Sequence, residues 1–121
     1  MPNTKNQPYY FKHKNKGRFI EACLLCLLKE NKSYGYNLLK DLADFGFIEG
    51  EINISIIYRN LKNMENENLI VSSWLESDEG PSKKVYEITE KGEEKLSYWI
   101  KFLNERKKRI NLITGKYNSL K

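Results

Sequence analysis

Residues 53–70, with the sequence NISIIYRNLKNMENENLI, constrain the fold of this chain more than any other stretch. Asn53 is a candidate helix N-cap, and Asn68 suits the left-handed residue that often ends a helix. Apolar residues recur between them at helical spacing, at Ile54, Ile57, Tyr58, Leu61 and Met64. The other face is polar and carries Ser55, Arg59, Asn60, Lys62, Asn63 and Asn66. Such a helix can lie in a DNA major groove, although an ordinary surface helix has the same pattern.

The segments before this helix predict two more helices. Residues 33–46, SYGYNLLKDLADFG, predict a helix with Ser33 as its N-cap and Gly46 at its end. The short link FIEGEI joins it to the helix at 53, and the pair predicts a helix-turn-helix. Residues 18–30, RFIEACLLCLLKE, predict an earlier helix that is apolar almost all round. We expect that helix to be buried between the domain body and a second chain.

A hairpin is predicted directly after the helix-turn-helix. Residues 70–76, IVSSWLE, and 84–89, KVYEIT, have strand composition, and a Gly-Pro turn separates them. This order of elements predicts a winged helix. Lys83 and Lys84 at the tip are candidate phosphate contacts, whereas Glu76, Asp78 and Glu79 just before the tip should point elsewhere.

From Thr89, a candidate N-cap, the chain predicts one long helix whose regular part has a candidate end at Thr114–Gly115. A heptad register along it is apolar except at Arg106, which predicts pairing with a second copy; a cover over the chain's own core is the alternative. The predicted dimer contacts, two of them on the first helix, are Leu24, Leu28, Leu96, Trp99, Leu103, Ile110 and Ile113.

The net charge is +5, but its distribution is uneven. Residues 1–18 carry +5, residues 101–121 carry +6, and residues 19–100 carry −6. A DNA-binding surface must therefore be local. We predict three parts: a flexible basic arm at 1–16, a winged helix-turn-helix DNA-binding domain at 17–89, and a C-terminal dimerisation helix and tail at 90–121. The arm is either a solvated tail or a DNA contact.

Several other classes of protein are disfavoured. Cys23 and Cys26 have CxxC spacing, but a single His, at position 13, leaves a zinc site short of ligands, so we expect both cysteines in the core. No nucleophile–base pair or phosphate loop supports an enzyme, and we expect no cofactor. The apolar run at 19–28 is too short to span a bilayer and lacks a signal-peptide cleavage site, so we expect a cytoplasmic protein.

Four segments, in this order, resemble the PadR family of winged-helix transcriptional regulators: SYGYNLLKDL, INISIIYRNLKNMENENLI, SSW and GPSKKVYEITEKGEEKL. The resemblance covers roughly residues 19–103. LLCLLKE and DLADFGF are also similar to the subgroup of poly-β-hydroxybutyrate-responsive repressors. The resemblance implies a mainly α (α+β) fold, a winged helix-turn-helix with a two-stranded wing and a long C-terminal dimerisation helix.

The resemblance further implies a homodimeric repressor that binds double-stranded DNA at an inverted repeat and is released by a small-molecule effector. Together with the patterns above, it gives a set of candidate DNA contacts: Tyr34, Tyr36, Asn53, Ser55, Tyr58, Arg59, Lys62, Lys83 and Lys84. Some members bind flat aromatic ligands at the dimer interface, which makes Trp99 and Leu103 candidate ligand contacts. The family often has Pro-Gly where this chain has Ile54–Ser55, so sequence preference could differ. A winged-helix adaptor that binds proteins and not DNA is the alternative.

Overall fold

The computed structural model describes residues 19–76 and 80–121. The predicted basic arm and the wing acids Asp78 and Glu79 lie outside these residues. The elements are helix α1 (Ile20–Glu30), strand β1 (Ser33–Tyr34), helix α2 (Gly35–Asp41) with a 3-10 turn (Leu42–Phe45), helix α3 (Ile54–Asn66), strands β2 (Ile70–Leu75) and β3 (Lys83–Ile88), and helix α4 (Glu90–Ser119). The predicted winged helix-turn-helix with a long C-terminal helix is confirmed.

Both predicted ends of α3 are confirmed. The Asn53 side-chain oxygen accepts a hydrogen bond from the backbone N–H of Ile56 at 3.0 Å, which satisfies one of the unpaired amides of the first turn. Asn68, just past the helix, has φ of 63°. One face of α3 is buried through Ile57, Leu61 and Met64, as the helical spacing predicts.

Helix α2 begins later than predicted, because Ser33 is not its N-cap. Ser33 and Tyr34 instead form β1, which pairs antiparallel with β3 through Ser33–Tyr86 and Tyr34–Val85. The sheet therefore has three strands in the order β1-β3-β2. A two-residue strand is too short to leave a periodic pattern, and its partner lies some fifty residues away. Its residues were therefore assigned to the predicted helix that follows. Gly46, with φ of 89°, ends this segment as predicted.

Helix α1 lies at the centre of the core. Leu24 and Leu25 are 0% exposed, and the helix packs against α4, α2, α3 and β3. Of the two cysteines, Cys23 is buried and Cys26 is exposed, so the prediction that both lie in the core is right only for Cys23. Burial, with a smaller effect of Cys26, raises the pKa of the Cys23 thiol to about 11.

Helix α4 is continuous from its predicted cap. The Thr89 hydroxyl accepts from the Gly92 N–H at 3.0 Å and donates to the Asn68 carbonyl at 2.7 Å. The predicted end at Thr114–Gly115 is wrong, because the helix runs to Ser119. The Thr114 hydroxyl donates to the Ile110 carbonyl one turn back, at 3.1 Å, so its polar group is satisfied inside the helix.

The first half of α4 covers the chain's own core, which corrects part of the predicted dimer interface. Leu24, Leu28, Leu96 and Trp99 are each at most 6% exposed within a single chain, so a partner cannot reach them and we no longer assign them to an interface. Leu103 is partly buried against the core. Beyond it the apolar side chains of α4, and that of Leu120 just past its end, are exposed by 54–74%: Ile110, Leu112, Ile113, Tyr117 and Leu120.

Candidate nucleic-acid interface

The polar face of α3 is open to solvent. Asn53, Ser55, Arg59 and Lys62 are exposed along it. The side-chain oxygen of Asn53 accepts the capping hydrogen bond, and its amide N–H groups remain to contact a ligand. Within residues 19–76 and 80–121, Arg59 makes no ion pair, so its planar guanidinium is available to a phosphate or a guanine edge.

Tyr58 lies where α3 meets the start of α2. A Cβ added at Gly35 would come within 2.6 Å of the Tyr58 Cζ and Oη atoms, so the ring rests on the bare backbone of Gly35. The ring is nevertheless 43% exposed. Gly35 therefore fixes a half-exposed tyrosine at the edge of the polar face of α3, although the sequence patterns did not single out this glycine.

An aromatic cleft of about 700 Å³ separates α2 and α3 from the wing. It is lined by Tyr34, Tyr36, Tyr58, Trp74, Pro81, Ser82, Lys83, Lys84 and Tyr86. The Lys83 ammonium lies 4.5 Å from the centre of the Tyr34 ring, and Tyr36 is 64% exposed. Aromatic rings beside lysines can pack on sugars or bases while the ammonium groups bind phosphates. The cleft brings together five of the nine predicted DNA contacts.

Trp74 is the functional candidate that the sequence patterns missed. Its side chain is 65% exposed on the wing and lines the aromatic cleft. The signal available in the sequence was a tryptophan near the end of a predicted strand, shortly before the Gly-Pro turn of the hairpin. The patterns used it as evidence for the strand and, within the segment SSW, for the family resemblance, but not as a site residue.

The two wing lysines differ in their surroundings. Lys83 is exposed, whereas the Lys84 side chain is 37% exposed and its ammonium lies 3.6 Å from a carboxylate oxygen of Glu65. The Ser72 hydroxyl donates to the other oxygen of Glu65 at 2.5 Å. Because Lys84 is paired with Glu65 and Lys83 is exposed, Lys83 is the stronger candidate for a phosphate contact.

Tyr86 lies beside this ion pair. Burial, and secondarily Glu65 and Tyr58, raises the pKa of Tyr86 to about 12.

The described parts of the chain contain no group of three or more His, Cys, Asp or Glu that could hold a metal ion. No helix among them is long and apolar enough to cross a membrane. Trp99, one of the two candidate ligand contacts, is 0% exposed, and its indole N–H donates to the buried Glu21 carboxylate at 2.8 Å. We therefore no longer assign Trp99 to a ligand site, and Leu103 is the candidate that remains.

Comparison with known proteins gives a consistent result. The model of the transcriptional regulator PadR-like family matches residues 24–98. A PadR-like transcription factor from Bacteroides fragilis is 26% identical, with a TM-score of 0.70 over 86% of this chain and 98% of that chain. A PadR-like transcriptional regulator from Bacillus cereus is 31% identical, with a TM-score of 0.69 over 84% of this chain and 95% of that chain.

A further structure shares the fold at lower identity. Bacillus subtilis PadR, solved in complex with operator DNA, is 24% identical, with a TM-score of 0.61 over 69% of this chain and 47% of that chain. A search of curated proteins gave no significant match.

Proposed function

Since this chain belongs to the PadR-like family of transcriptional regulators, we propose that it is a homodimeric repressor that binds an inverted-repeat operator. Helix α3 enters the major groove, the wing contacts the flanking backbone, and a small-molecule effector releases the protein. One observation carries the proposal: Arg59, which makes no ion pair within residues 19–76 and 80–121, is exposed on α3 directly after Tyr58, which lines the aromatic cleft together with Lys83. The operator complex of Bacillus subtilis PadR supports DNA as the partner.

The two parts of the interface have different tasks. Arg59 and the first turn of α3, with Ser55 and the Asn53 amide, face the base edges, because the N-terminal part of such a helix usually reaches deepest into the groove. Lys83 and the aromatic cleft face the sugar–phosphate backbone, which positions the protein without reading sequence. Tyr58 lies between the two regions, where its ring can pack and its hydroxyl can reach a phosphate.

The test of base reading is Arg59→Ala, compared with Arg59→Lys. Duplexes are first selected from a random pool with the wild-type protein, because the operator is unknown. We expect Arg59→Ala to cost about 1–3 kcal/mol of affinity for the selected duplex. The melting temperature should not change, because Arg59 has no ion pair among the described residues. If Arg59 reads a guanine, lysine will not restore the affinity; if it clamps a phosphate, lysine will largely restore it.

The test of backbone contact is Lys83→Ala. Binding to the selected duplex and to random duplex should weaken equally, and the salt dependence should fall by roughly one counterion for each site. Lys91→Ala is the matched control, since this exposed lysine lies at the start of α4 and outside the aromatic cleft. Loss of binding to the selected duplex alone would mean that Lys83 reads bases.

A second candidate function is a winged-helix adaptor that binds a protein. The net charge of −6 over residues 19–100 favours it, because much of the domain would repel a nucleic acid. The two functions differ in their response to salt. A repressor should bind duplex DNA with an affinity that falls steeply as salt rises, whereas an adaptor should show no specific duplex binding.

A further inference from the structure

Glu65 joins α3 to both long strands of the wing. One carboxylate oxygen accepts a hydrogen bond from Ser72 on β2 at 2.5 Å, and the other lies 3.6 Å from the Lys84 ammonium on β3. Ser72 pairs with Tyr86 in the sheet, so the contacts fall on neighbouring positions of two paired strands. The Glu65 side chain is 29% exposed, and partial burial strengthens both interactions.

These contacts lie where the wing changes from buried to solvent-exposed residues. Ile70 at the start of β2 is buried, and Ser72 is half-buried. From there outward, Ser73, Trp74 and Leu75 are exposed. The outer wing, with Trp74 and Lys83, is therefore a short hairpin held at its base. The pairing of β1 with β3 at Tyr34–Val85 holds one side, and the Glu65 contacts tie the hairpin to α3.

An acidic side chain beside a DNA-binding cleft needs a reason, because it repels phosphate and offsets the charge of Lys84. An interface selected only for affinity would have a neutral residue here. A charged pair that crosses between two elements can instead specify their relative position, as buried polar groups do when they set the register of paired helices. Specificity is a difference between two affinities, so a residue that lowers non-specific binding more than specific binding increases it.

We propose that Glu65 is a positioning residue that sets the angle between α3 and the wing and restrains the charge of Lys84. By doing so it determines how strongly the protein prefers its operator over random DNA. This inference rests on the proposed function and assigns a role to a residue that does not itself contact the DNA.

The test is Glu65→Gln, with Glu67→Gln as the matched control. Both changes remove one negative charge near the end of α3, but Glu67 pairs with Lys95 of α4 at 3.6 Å and not with the wing. For Glu65→Gln we expect tighter binding to random duplex with a steeper salt dependence, because Lys84 is released. Binding to the selected duplex should weaken, because glutamine still accepts from Ser72 but replaces a hydrogen bond to a carboxylate with a weaker one to a neutral amide. The ratio of the two affinities should therefore fall by about tenfold.

Ser72→Ala separates the two roles of Glu65. It removes the hydrogen bond and leaves the ion pair with Lys84. We expect weaker binding to the selected duplex without tighter binding to random duplex. If Glu65→Gln changes both affinities by the same factor, as a purely electrostatic effect would, the positioning role is refuted.

Hydrogen exchange tests the same inference without DNA. The amides of β2 and β3 should exchange faster in Glu65→Gln than in the wild-type protein. Their exchange rates should be unchanged in Glu67→Gln. Equal exchange in all three proteins would refute the positioning role even if the wild-type protein bound no duplex. Failure of the wild-type protein to bind duplex would instead refute the proposed function.

Discussion

Gly35 and Tyr58 give the sharpest stability prediction for a single residue. In Gly35→Ala the new Cβ would come within 2.6 Å of the Tyr58 ring. Because that ring is the half-exposed end of a side chain, it can swing away, and we expect a cost of about 1–2 kcal/mol in the free energy of unfolding. DNA affinity should fall as well, since Tyr58 is displaced from the aromatic cleft.

A double-mutant cycle provides the control for Gly35→Ala. In a Tyr58→Ala background the added methyl group meets no ring, so the cost of Gly35→Ala should largely disappear in urea unfolding. An equal cost in both backgrounds would show that the methyl group acts on the backbone and not on Tyr58.

Tyr86 predicts how stability depends on alkaline pH. The pKa of Tyr86 is raised to about 12 from the ordinary value of 10.0, because burial and then Glu65 and Tyr58 favour the neutral phenol in the folded chain. This contribution is complete below pH 10 and is lost as the pH rises toward 12. Tyr86→Phe should therefore lose less stability over this interval than its parent, by about 2–3 kcal/mol.

The measurement is urea unfolding at successive pH values. Both proteins should also carry Cys23→Ala, because the pKa of that thiol is raised to about 11 and its titration overlaps that of Tyr86. Parallel loss of stability in the two proteins would show that the Tyr86 phenol does not contribute.

For single residues, the sequence predicted the roles of those whose hydrogen-bond partners lie within a few positions along the chain. The caps at Asn53 and Thr89 bond to amides three residues on, and the left-handed Asn68 follows from its place after a helix. Glu65 and Trp74 were missed because their importance depends on the wing folding back. Ser72 is seven residues from Glu65 and Lys84 lies on the next strand, a separation that no periodicity reports.

Among the elements, α4 carries two glycines with opposite expected effects. A Cβ at Gly92 would overlap the backbone carbonyl of Leu69, which cannot swing away, whereas a Cβ at Gly115 meets nothing within 4 Å. We expect Gly92→Ala to lower the free energy of unfolding by about 2–4 kcal/mol. Gly115→Ala should raise it by about 0.5–1 kcal/mol, since alanine is the better helix former.

Denaturant unfolding of the two glycine variants tests the packing of α4 on the turn after α3. Because both glycines lie within the same helix, the intrinsic preference for alanine is common to them and the difference reports the contact with Leu69. Similar stabilities for the two variants would contradict this packing.

Element types were easier to predict than element limits. The amphipathic spacing predicted α3 because that helix buries its apolar face, and the β-branched and aromatic composition predicted the wing strands although Trp74 and Leu75 stay exposed. The start of α2 was wrong because β1 is held by β3 across the sheet. The continuation of α4 past Gly115 was missed because a single glycine weakens a helix without ending it.

For the whole molecule, the main prediction is self-association through the second half of α4. The exposed apolar row in the second half of α4 includes Ile110, which is 54% exposed in the single chain. Ile110→Asp should leave the fold intact and dissociate a dimer, because it would bury an unpaired charge at the contact. Leu112→Asp is the matched control, since Leu112 is 74% exposed but lies off the heptad seam.

Sedimentation over a range of concentrations measures the outcome. We expect Ile110→Asp to sediment as a monomer and Leu112→Asp to behave like the wild-type protein. Equal behaviour of the two variants would exclude the seam as the dimer contact, and a wild-type monomer would exclude the homodimer.

The unequal burial of the chain's two tryptophans gives it a built-in optical assay. Trp99 is 0% exposed beside the Glu21 carboxylate, so its emission should shift only when the core opens. Trp74 is 65% exposed in the aromatic cleft, so its emission should be quenched by whatever enters there. Trp74→Phe would leave a chain whose fluorescence follows unfolding alone. Ligand binding, read from quenching of Trp74, and unfolding, read from the emission wavelength of Trp99, can thus be followed in one sample without an added dye.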